Sequence, residues 1–214
     1  MIRVACYIDG FNLYHAIDDI SRASGGTDNY LKWLDLHRLM SVFTDPKHHK
    51  IISIKYFSAY AHWLPDQMAR HKLYVVAIKS RGVEPIMGRF KDKEIYCKRC
   101  RQTFWGHEEK ESDVNIATHM LQDAHADLFD QAFLVSRDSD LSSPLRMLRA
   151  SFPSKKVKVI APPRRMHSKE LGALAHARAT IEDQHLELSL LPQQVLNGAG
   201  AEVCIRPVQY DPPV

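Results

Sequence analysis

The stretch that most constrains this chain is Ala132-Phe133-Leu134-Val135, followed by Ser136-Arg137-Asp138-Ser139-Asp140. A short β-forming run that breaks into polar residues, and then into the helix-like segment Leu141 to Leu148, is the carboxyl end of a strand in an α/β sheet. Such sheets bind their ligands at that edge. Carboxylates at i and i+2 repel each other in water and suit a hard cation such as Mg²⁺ or Mn²⁺. Capping by Asp138 or Ser139, with Asp140 at the positive end of the helix, accounts for the same residues without a cation. A second acidic strand end weighs against capping alone. Arg3 to Ile8 is β-rich and stops at Asp9-Gly10-Phe11-Asn12. Gly10 permits a sharp turn there, and a helix starts near Leu13. Asn12 either orients water or a phosphate oxygen or caps that helix.

Strands and helices alternate along the rest of the chain, which predicts a doubly wound parallel sheet. Asp35 is the expected N-cap of a helix presenting Leu36, Leu39, Met40 and Phe43 on one face. Ile51 to Ser58 is a second strand. Pro65 opens a helix with Ala69, Leu73 and Val76 inside, and Gly82 ends it. Val83 to Met87 is a short third strand, kept near a sheet edge by Pro85. Ser112 is the expected N-cap of a helix with Val114, Ala117, Leu121, Ala124 and Leu128 buried, and with Asp113 facing the sheet edge from its first turn. His119, Gln122, Asp123 and Asp127 then read as solvated. Val157 to Ile160 is a further strand, and helices are expected over Lys169 to Ala177 and Glu182 to Leu191.

Residues 88–107 differ in character. Basic and aromatic runs flank Cys97-Lys98-Arg99-Cys100, which reads as an inserted hairpin in which Phe90, Tyr96, Phe104 and Trp105 could stack on bases. The Cys-x-x-Cys spacing suits one edge of a tetrahedral Zn²⁺ site. His107 is the nearest further ligand and no second Cys-x-x-Cys exists, so two reduced cysteines at a tight turn are the expected state. The domain is expected to span 1–191, with 192–214 a loosely attached tail in which Glu202 to Arg206 could form an edge strand.

The formal net charge is +4. It permits a nucleic-acid partner without requiring one. Basic residues gather at Lys91 to Arg101, at Lys155-Lys156-Val157-Lys158 and at Arg164-Arg165, flanking the acids as a polyanion-binding site would. Read singly, each basic run is a solvated surface. No apolar run approaches the ~20 residues that span a membrane, and Met1 runs at once into a strand, so a cytoplasmic protein is expected. There is no Gly-x-Ser-x-Gly, Walker loop or Gly-x-Gly-x-x-Gly. Without a protein nucleophile, the acids point to metal-assisted hydrolysis by an activated water.

Tyr7 to Asn12, Glu109 to Ala117 and Leu134 to Leu141, with the Cys-x-x-Cys hairpin before the middle motif, resemble NYN-domain proteins, the PIN-like ribonucleases of the LabA-like group. The resemblance runs from about Val4 to about Ala161. It implies a three-layer α/β/α PIN-like (Rossmann-like) sandwich and an Mg²⁺/Mn²⁺ site for cutting RNA. By position, Asp9, Asp113, Asp138 and Asp140 would hold the metal, Asn12 would position water or phosphate, and Ser136 would assist. Arg137 stands where the family commonly has glycine. It either adopts an ordinary backbone or holds substrate phosphate, together with Lys98, Arg99 and Arg101 of the hairpin. The reading is therefore a metal-dependent endoribonuclease. An RNA-binding or adaptor module with little cleavage is the alternative, and a metal-dependent phosphatase ranks last. Self-association or a protein partner stays open.

Overall fold

Strand β1 (Ile2–Asp9) alternates Val4, Cys6 and Ile8 with Ala5 and Tyr7, and all five are buried. A strand buried on both faces must lie inside a sheet that is covered on both sides. The computed structural model of the chain, which describes residues 1–213, places it there. The first half continues with α1 (Gly10–Ala23), α2 (Leu36–Ser41), β2 (His49–Ser58), α3 (Pro65–Ser80) and β3 (Glu84–Met87). A hairpin of β4 (Arg89–Tyr96) and β5 (Thr103–Lys110) leads into α4 (Ser112–His125). Then come β6 (Gln131–Val135), α5 (Ser142–Ser151), β7 (Lys156–Ala161), α6 (Lys169–Leu174) and β8 (Ala177–Thr180). The described chain closes with α7 (Asp183–Glu187), β9 (Gln194–Leu196) and β10 (Glu202–Ile205).

The central sheet has six strands in the order β3-β2-β1-β6-β7-β8, every pair parallel. Val4, Cys6 and Ile8 pack against Leu13 and Ile17 of α1, Leu39 of α2 and Ile78 of α3. Ala5 and Tyr7 pack against Ile116 and Met120 of α4, Leu145 of α5 and Leu171 of α6. This is the expected α/β/α sandwich. The expected edge strand at Pro85 is β3, and β4 and β5 pair antiparallel as an inserted hairpin that runs on to Lys110. Asp35 caps α2 by accepting the Arg38 N–H, and Pro65 opens α3.

Several local expectations are corrected. Ser112 begins α4 rather than capping it; Glu111, at φ +81°, is the cap, and the Ser112 hydroxyl is buried without a hydrogen-bond partner. Val114 and Leu128 of the expected inner face are 66% and 50% exposed, while Ile116, Met120 and Asp123 are buried. Asp123 turns inward because Lys55 Nζ (2.5 Å) and Tyr7 Oη (2.7 Å) donate to the same Oδ2. In α3 the inner residues are Val75, Ala77 and Ile78, and Val76 is exposed. The helix expected to reach Ala177 stops at Leu174, and Ala177–Thr180 joins the sheet beside β7. From Pro192 the chain packs on the body. β9 and β10 pair with each other, not with the central sheet, and bury Val195 and Cys204. Trp33 Nε1 donates to the Pro192 carbonyl (3.1 Å) and the Trp33 ring stacks on Tyr210.

Candidate active site

β1 and β6 are parallel neighbours with Ile8 beside Val135, so the chain leaves both strands at one edge of the sheet. Asp9 ends the first strand and Ser136 follows the second. Ser136 Oγ donates to Asp9 Oδ2 (2.8 Å) and accepts the Asp138 N–H (3.0 Å). Asn12 donates its N–H to Asp9 Oδ1 (2.9 Å) and its Nδ2 to Oδ2 (2.6 Å), while its Oδ1 accepts the Arg137 N–H (3.4 Å). Asn12 and Ser136 thus brace the two strand ends against each other. Asp9 caps α1 in the process, and Asp138 Oδ1 caps its own turn by accepting the Asp140 N–H (2.9 Å). Capping and site formation are one geometry here, not alternatives.

Gly10 serves a close approach rather than a left-handed turn. A Cβ there would sit 2.5 Å from the Tyr56 ring and 2.7 Å from the Phe57 carbonyl oxygen. Glycine lets α1 start directly against β2, which sets where Asp9 points.

Burial pushes the Asp9 carboxyl up to about 6. Hydrogen bonds from Asn12 and Ser136 oppose this, and the charges of Asp138 and Glu109 add to it. Asp113, in the first turn of α4, is also raised to about 6, first by burial and then by Asp138, Asp9, Glu109 and Asp140. The structure therefore brings the four expected acids within electrostatic reach of one another and adds a fifth, Glu109 of β5. Glu109 stands across from Phe90, which packs on Phe11 of α1. Strand alternation through Glu109 is the signal that could have found it. Among the described residues, no three of these carboxylates bring oxygens within 4.8 Å of one another. An all-oxygen donor set has the chemistry that fits Mg²⁺ or Mn²⁺.

Arg137 is exposed and its φ lies outside the left-handed region, so the arginine sits in ordinary backbone. Lys98, Arg99 and Arg101 are at the hairpin tip, on the order of 20 Å along β5 from Glu109 at ~3.3 Å per residue. Cys97 and Cys100 are free thiols there, and hydrogen bonds from Cys100 and Arg99 hold the Cys97 thiol below its ordinary range. His107 pairs across the hairpin with Asp92, roughly 16 Å from the cysteines, and does not complete a zinc site with them. The other basic runs are largely engaged. Lys155 Nζ donates to Asp127 and to the Phe129 carbonyl, Lys158 to the Phe43 carbonyl, and Arg164 and Arg165 pair with Asp183 and Asp19. Beside Gly10 and Phe11 lies a cavity of about 290 Å³ walled by Tyr14, Tyr56, Trp63 and Phe90.

Over 183 residues the chain is 29% identical to 6-hydroxy-3-succinoylpyridine 3-monooxygenase HspA of Pseudomonas putida, an alignment covering 70% of this chain and 56% of that protein. The chain thus spans little more than half the length of that relative. A solved protein of unknown function from Vibrio parahaemolyticus superposes with a TM-score of 0.58 at 22% identity, covering 89% of this chain and 96% of the other. The NYN domain matches residues 3–185, a span that includes both acidic strand ends, the inserted hairpin and the helix start at Asp113. The chain belongs to the NYN domain family, within the PIN-like superfamily.

Proposed function

We propose that this chain is a metal-dependent endoribonuclease that hydrolyses RNA phosphodiesters at the edge formed by Asp9, Asp113, Asp138 and Asp140. The observation that carries the reading is the gathering of carboxylates at one sheet edge, where burial first and neighbouring acids second raise the carboxyls of Asp9 and Asp113, with no cationic side chain among the leading causes. Mg²⁺ or Mn²⁺ held by these acids would supply the missing positive charge and the acidity that activates water towards a phosphodiester. Asn12 and Ser136 fix Asp9 in place. The Ser136 hydroxyl already donates to Asp9 and accepts from Asp138, which argues against its acting as a nucleophile. The exposed Arg137 stands beside the acids, where a guanidinium can take a neighbouring phosphate. The aromatic cavity next to Phe11 offers a base a surface for stacking.

Asp138→Asn tests the reading. The amide keeps an acceptor for the Asp140 N–H, so the turn survives. Metal-dependent RNA cleavage should fall by roughly 100-fold or more with an unchanged circular dichroism spectrum. Full activity in that variant with Mn²⁺ would sink the assignment.

A second reading, an RNA-binding module with little cleavage, is favoured by Tyr96, Phe104 and Trp105, exposed beside Lys98, Arg99 and Arg101 at the hairpin tip. Tight binding across a panel of RNAs, without products in Mn²⁺, would select it.

A further inference from the structure

His62, Asp92 and His107 are the one group of three or more His, Cys, Asp or Glu side chains among the described residues whose donor atoms all lie within 4.8 Å of one another. They come from two parts of the chain. His62 follows β2, whereas Asp92 and His107 face each other across the β4–β5 hairpin. Asp92 Oδ1 is 2.8 Å from His107 Nδ1 and 3.3 Å from His62 Nε2. Ligand bonds of about 2.1 Å, set at 90–110°, place neighbouring donor atoms roughly 3.0–3.4 Å apart. Both pairs through Asp92 are already near that spacing, and the two imidazole donors lie within 4.8 Å of each other.

The rings are also held. Trp63 stacks on His107 with centroids 3.6 Å apart and planes 11° from parallel, and Phe90 packs edge-on against Trp63 at 4.6 Å. His107 and Trp63 both line the aromatic cavity.

From this we infer that His62, Asp92 and His107 form a second metal site, for a divalent first-row transition metal such as Zn²⁺, at the rim of the aromatic cavity. Two imidazoles and one carboxylate prefer such an ion to Mg²⁺, which seeks oxygen ligands and keeps its waters. The site differs from the acidic edge in ligand chemistry and does not depend on the nuclease reading. Three protein ligands leave at least one coordination position for water or a ligand donor. A bound ion would also pin the hairpin to the segment after β2, fixing Trp63 and Phe90 as walls of the cavity.

The full chain, stripped of metal, reduced and held in millimolar Mg²⁺, is titrated with Co²⁺ and then with Zn²⁺. A single equivalent of Co²⁺ should bind with visible d–d bands, and Zn²⁺ should displace it. His107→Ala and Asp92→Asn should each weaken binding roughly 10-fold or more. Asp113→Asn should leave it unchanged. His62 is half exposed, so His62→Ala gives a variant whose fold is not at risk and which should lose affinity similarly. In hydrogen exchange, Zn²⁺ should slow β4 and β5 in the wild type and not in His62→Ala. Three outcomes overturn the proposal: no Co²⁺ binding, binding indifferent to His62→Ala, or an intense near-ultraviolet thiolate band that assigns the ion to Cys97 and Cys100.

Discussion

Asp113 shows at the scale of one residue what an acidic site does to its own fold. Its carboxyl titrates near 6 in the folded chain, against 3.8 for the unperturbed group. The sign follows directly. Because the folded state holds the proton more tightly, folding is favoured as pH falls from about 6 towards 4 and is penalised above 6. Asp113→Asn should therefore raise the stability of the metal-free protein at pH 7.5 by on the order of 1 kcal/mol, discounted for partial solvent screening. The gain should vanish near pH 4. Thermal melts in EDTA at the two pH values check this, and an equal effect at both would refute the electrostatic account. The reason Asp9, Asp138 and Asp140 were legible in the sequence is equally local: Asp9 directly follows one hydrophobic strand run, and Asp138 and Asp140 lie in the polar turn after another. Glu109 was not, because its membership depends on a hairpin packing Phe90 against Phe11. The His62–Asp92–His107 group was invisible for the same reason, its members being brought together only by tertiary contacts.

Among elements, α4 carries Asp113 to the edge, and a buried network sets its rotation. Lys55 of β2 and Tyr7 of β1 both donate to Asp123 on the inner face of α4. Lys55→Met would leave that carboxylate buried and unpaired, at a cost of about 3–5 kcal/mol. Adding Asp123→Asn, which removes the charge and keeps an acceptor for Tyr7, should recover part of it. Urea midpoints of the single and double variants measure the difference, and a loss below about 1 kcal/mol in the single variant would contradict the network. This pair also explains why the helix phase was misread. Hydrophobic periodicity counts an aspartate as solvent-facing, and nothing in the sequence near Asp123 announces a lysine that lies 68 residues earlier. β1 and β6 were legible because both of their faces are apolar. β8 was not, being a four-residue strand with Arg178 in it.

Across the whole molecule, net charge is a poor guide to where an anionic partner would lie. Several of the basic side chains that gather in the sequence are spent internally, Lys155 on Asp127 and Phe129 and Arg165 on Asp19. Arg137 beside the acids and Lys98, Arg99 and Arg101 at the hairpin tip stay exposed. Trp105 is 69% exposed at that tip, and under the proposed RNA-binding role it stacks on a base. Trp105→Ala should weaken binding of long RNA by about 1–3 kcal/mol while leaving turnover of a short oligonucleotide unchanged. Fluorescence anisotropy alongside cleavage assays separates the two, and equal losses in both would place the tryptophan elsewhere in the cycle.

The root of the hairpin has a further consequence. Gly88 is anchored to the Ser58 carbonyl on β2 and lies so close to Lys110 that a Cβ would sit 2.6 Å from its carbonyl oxygen. Entry and exit therefore coincide, and the excursion between them behaves as a cassette. Its outer half can be lengthened, shortened or exchanged without retuning the sheet, because the chain re-enters at the point it left. On the proposed nuclease reading, substrate choice would diverge in that outer half while the acidic edge stays under separate constraint.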